Sequence, residues 1–138
     1  MRRVHFFIGI LGVLVFLASG QVLRFHHPAL KTLDGGVHIM NVSRHIYILG
    51  TALINLVLGM YLRIHNRGWR RILQVIGSAL LLASPALLTL AFFTEPALGL
   101  AGRSWRAALG LQAMFAGAML HLLASFGAGR IDTPESRL

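Results

Sequence analysis

The sequence has no cysteine, only four acidic residues, and little charge of any kind, with Asp, Glu, Lys and Arg making up 12% of the chain. The missing thiols exclude structural disulfides, thiolate metal sites and cysteine nucleophiles. The four acids, Asp34, Glu95, Asp132 and Glu135, stand in the breaks between apolar runs or in the tail. No apolar run therefore carries a carboxylate for the proton binding and release on which proton-coupled membrane transport relies. No constellation for hydrolysis is present, so the sequence leans away from an enzyme.

What is there is mostly apolar. Apolar residues make up 56% of 138, and the mean hydropathy is +0.70. A soluble domain of this size needs more polar surface, because small globules leave much of their area in water. Four apolar segments of about 20 residues each account for the excess, and such a length spans a hydrocarbon core at 1.5 Å per helical residue. The expected class is all-α: an integral membrane four-helix bundle, with helices near 4–24, 37–64, 69–93 and 104–126 and a polar tail over 127–138. Residues 1–138 then form one transmembrane domain. Short connections imply antiparallel neighbours in up-down-up-down order.

Thirteen Lys and Arg against four acids give a net charge of +9. In a soluble chain this would suggest nucleic acid. Here the cations flank the apolar runs, with no basic helix or aromatic platform, so nucleic acid is not an expected partner. Orientation and contact with lipid headgroups are the simpler reading. Arg2, Arg3, Arg63, Arg67, Arg70, Arg71, Arg130 and Arg137 fall on one side of such a bundle, and Arg24, Lys31, Arg44, Arg103 and Arg106 on the other. The excess of cations predicts both termini cytoplasmic, and the expected location is a bacterial-type plasma (inner) membrane. The first segment also has the ingredients of a signal peptide, with a charged start and Ala18-Ser19-Gly20 as a small-residue cleavage site. Its apolar run continues to Leu23, a full span, and favours a retained helix.

The stretch 37–62 is the most patterned. His38, Asn41, His45 and Asn55 share a helix face with Ile48, Ala52, Gly59 and Leu62. Asn55 is expected to be buried and to bond a neighbouring helix, through Ser78, Thr89, Ser19 or the carbonyl freed by Pro85. Arg44 reads as part of an interfacial belt with Tyr47 below it. The alternative is a pair with Glu95 or Asp34, or with an anionic lipid or quinone-like headgroup.

Histidine stands above this background. His5 shares a stripe with Gly9 and Gly12, and His121 with Gly117 and Gly110. Neutral imidazole is the usual axial ligand of b-type haem, and glycine on the same faces would make room for a porphyrin. A b-type haem electron carrier using His5, His121 or His45 is therefore one functional alternative. A second is a Zn or Cu site at the outer rim, from His26, His27, His38 and His45. Against both stands ordinary small-residue helix packing with helix-end histidines. The leading expectation is a non-enzymatic structural or accessory subunit, its partners being the bilayer and either other membrane subunits or further copies of itself.

Overall fold

The computed structural model describes residues 1–25, 35–64, 68–96 and 104–126. Among these the chain is all-helical, with α1 (Arg2–Phe25), α2 (Gly35–Tyr61), α3 (Gly68–Thr94) and α4 (Trp105–Ser125). All four are long and apolar enough to cross a membrane. The observed ends differ from the expected ones by a residue or more. Gly35 and Gly36 lie inside α2, ahead of its expected start at 37. Two glycines cost a helix about 1 kcal/mol each relative to alanine, too little to stop a helix of 27 residues. At its other end α2 stops at Tyr61, and the Gln74 amide donates to the freed Arg63 carbonyl at 3.0 Å.

The distribution of side chains is the inverse of a soluble bundle. Many buried positions are small or polar, such as Gly9, Gly12 and Ser19 on α1 and Thr51, Asn55 and Gly59 on α2. Exposed ones include Phe7, Leu14, Val57, Phe93, Phe115 and Met119. Apolar residues all round a helix are the pattern of a membrane span or of a helix buried in a larger core.

Small residues set how closely the helices approach. A Cβ on Gly59 would lie 2.5 Å from the Phe6 Cα, one on Gly12 2.7 Å from the Ala52 Cβ, and one on Gly9 2.7 Å from the Leu56 backbone nitrogen. These three contacts run antiparallel and zip α1 onto α2. Gly77 against Gly117 and Gly110 against Leu88 do the same for α3 and α4. The molecule is thus two tight hairpins joined mainly by α2 against α3. Ile48, Leu88 and Phe92 form the apolar centre of that seam. Two grooves flank it: one of about 580 Å³ between α2 and α4, and one of about 420 Å³ between α1 and α3.

Candidate functional site

Polar groups buried between the helices gather into two clusters, one toward each end of the bundle. The first lies on the side of the N-terminus and centres on Asn55, which is fully buried. Its side-chain amide donates to the Thr51 carbonyl at 2.9 Å and to the Leu81 carbonyl at 3.0 Å. Leu81 is four residues before Pro85, and a proline has no N–H to offer the carbonyl one turn earlier. The helix defect at Pro85 thus supplies the acceptor that Asn55 uses, and Ser84 Oγ donates to the same carbonyl at 3.1 Å. Ser84 also meets Thr51 Oγ1 at 2.6 Å, so α2 and α3 are tied twice within one turn.

Asn55 also fixes the chemical state of His5. Both of its amide protons are engaged, and turning the amide over would set its oxygen against two carbonyls. Asn55 Oδ1 therefore accepts, and His5 Nδ1, 2.7 Å away, must carry the proton and donate it. The neutral ring then has a bare lone pair on Nε2. Among the described residues, this nitrogen is the one buried side-chain polar atom without a hydrogen-bond partner. An unmet buried acceptor costs on the order of 1–3 kcal/mol. His121 stands beside it on α4, the two ring centroids 6.4 Å apart and nearly perpendicular. His121 Nε2 meets Ser78 Oγ at 3.2 Å.

The second cluster closes the opposite end. Arg44 is 3% exposed, so it does not sit in an interfacial belt. Its Nε donates to Glu95 Oε2 at 2.8 Å, and the rest of the guanidinium reaches the Met40 carbonyl and Ser104 Oγ. The other carboxylate oxygen of Glu95 accepts from the backbone N–H of Arg106 and Ala107, at 2.8 and 3.1 Å. These are first-turn amides of α4, whose N-cap Ser104 makes no capping bond of its own. Glu95, just beyond α3, thus caps α4 from outside, where a negative charge is favoured. Nothing in the local sequence around Ser104 signals this cap, because the acceptor comes from another helix.

His45 lies near this second end. It stacks on Phe16, with centroids 4.1 Å apart, and Nδ1 meets Ser19 Oγ at 2.9 Å. It is far along the bundle from His5 and His121, so the three histidines do not form one site. His38 is exposed on the first turns of α2, and His26 and His27 lie outside the described residues. Among the described residues, no group of three or more His, Cys, Asp or Glu side chains is placed to hold a metal.

The porphyrin space expected beside His5 and His121 is filled. Leu56 and Ala52 occupy the notches at Gly9 and Gly12, and Leu88 and Leu81 those at Gly110 and Gly117. The glycines admit neighbouring helices, not a flat macrocycle, and helix packing occupies the faces on which one would lie. The residues therefore do not fit haem in this arrangement.

Together, the fold and the two clusters define a class: a four-helix bundle, membrane-compatible in every helix, with a polar layer near each end. Compared with known proteins, the sequence matches no family model, and no curated protein or solved structure matches it.

Proposed function

We propose that this chain is a small multi-pass membrane protein whose four helices cross a bacterial-type plasma membrane in up-down-up-down order, both termini cytoplasmic. It acts as a non-enzymatic structural or accessory subunit of a membrane complex. The observation that carries the reading is how the interior polar groups are used. Asn55, Thr51, Ser84, Arg44 and Glu95 bond across helices to one another and to backbone carbonyls and amides, an arrangement that holds helices in register. Meanwhile the apolar grooves between α2 and α4 and between α1 and α3 remain open on the flanks. Grooves of this kind suit the helices of other subunits or of further copies of this chain.

Native mass spectrometry from mild detergent tests the proposal. The expected result is a defined stoichiometric assembly, hetero- or homo-oligomeric. A lone monomer carrying only lipid would overturn it. For the haem alternative the expected spectrum, after expression with ample haem, has no Soret band.

A further inference from the structure

We propose that His5 and His121 form a binding site for one transition-metal ion of low charge, copper(I) being the best match. The site is separate from the outer-rim histidines and stands independently of the subunit role.

The case begins with His5 Nε2, a buried lone pair with no partner. A histidine that ligates a metal usually donates its other ring N–H to an oxygen, which fixes the tautomer and aims the free nitrogen. Asn55 Oδ1 does this for His5, and Asn55 is itself held by two carbonyls. The ring is thus prepared in the form that a metal needs. His121 supplies the second donor. Metal–nitrogen bonds of about 2.0–2.1 Å place the centroids of two imidazoles on one ion about 6 Å apart. The observed 6.4 Å requires a shift of a few tenths of an ångström and a turn of the His121 ring.

The surroundings choose the ion. No carboxylate or thiolate takes part in this cluster, so the charge brought in is not neutralised, and a buried single charge costs far less than a double one. Imidazole suits both zinc and copper. Zinc in a closed site takes four ligands, and this cluster offers two nitrogens with Ser78 Oγ as a weak third. Copper(I) is satisfied by two or three donors. The route is also present: His121 lines the groove between α2 and α4, together with Gln74 and Ser125. An ion entering there meets His121, whose ring stands beside that of His5.

The test uses the full chain, purified without a histidine tag in detergent and kept reduced, with copper(I) titrated against bicinchoninate. One copper(I) per chain is expected to be withheld from the chelator. His5→Ala and His121→Ala should each weaken binding at least tenfold, and His45→Ala should leave it unchanged. X-ray absorption on the unsubstituted protein should show nitrogen donors with imidazole scattering, a readout that does not depend on any variant folding. Failure to compete with bicinchoninate, unaltered binding in His5→Ala, or displacement of copper(I) by equimolar zinc(II) would each overturn the assignment.

Discussion

Asn55 shows what a single residue contributes. It donates twice and accepts once, and each of its partners is buried. Hydrogen bonds between helices in a bilayer average only about 0.6 kcal/mol and reach about 1.7 at most. The larger penalty in a variant comes from the groups left behind. Asn55→Leu strands the His5 N–H in an apolar layer, at about 1–3 kcal/mol for the group left unmet. The Leu81 carbonyl keeps Ser84, so His5 bears most of the loss. We expect Asn55→Leu to lower unfolding stability by about 2 kcal/mol in a detergent titration. The double variant His5→Leu, Asn55→Leu should be less destabilised than the two single changes added together, and simple additivity would count against a coupled pair. The sequence announced the burial of Asn55, since an amide in the apolar part of a patterned stripe must be met by something. Of the four partners it offered, the carbonyl freed by Pro85 is used, whereas Ser78 and Ser19 bond elsewhere and Thr89 makes no bond to Asn55. It could not announce His5, which lies 50 residues away and faces Asn55 only because Gly9, Gly12 and Gly59 let α1 and α2 close.

At the level of elements, the bundle depends on where helices touch and how their ends are closed. The glycine contacts sort by what a methyl group would meet. At Gly59 it would strike the backbone of Phe6, whereas at Gly50 nothing lies within 4 Å. Gly59→Ala should therefore open the first hairpin and cost about 1–3 kcal/mol, as overpacking does. Gly50→Ala should be neutral, or stabilising by up to about 1 kcal/mol through helix propensity alone. Thermal unfolding of the two variants side by side separates close packing from a generic preference for alanine. The helix ends make a different demand. Arg44 and Glu95 are nearly inaccessible, their side chains 4% and 1% exposed. Removing one partner of a buried pair costs about 3–5 kcal/mol, chiefly because the other charge is left alone. Glu95→Gln should thus be severely destabilising and should fray the first turn of α4, read by hydrogen exchange at Arg106 and Ala107. Arg44→Met with Glu95→Leu should recover much of the loss. Four helices were legible from apolar run length. The Glu95 cap was not, because its two ends belong to different helices and local capping rules look only along the chain.

The whole molecule raises the question of which way it faces. Counted from sequence, eight cations fall on the side of the termini and five on the other. Arg44 belongs to the five, yet its charge is buried and matched by Glu95. It is therefore unavailable to lipid headgroups, and the opposite side keeps four. The bias that orients helices acts through cations near the ends of the spans, so under the proposed topology the count is eight against four. The absence of cysteine makes the question directly measurable, since any thiol introduced is the only one in the chain. Arg3→Cys and Phe126→Cys should be blocked by a membrane-impermeant maleimide only after the membrane is opened. Gly35→Cys and Trp105→Cys should react in intact cells. The reverse pattern would invert the proposed topology, and reaction of all four in intact cells would mean that the helices do not span the membrane. The experiment also bears on the metal site. With the termini inside, the His5 and His121 layer lies in the cytoplasmic half of the bilayer, where the reducing compartment maintains copper as copper(I).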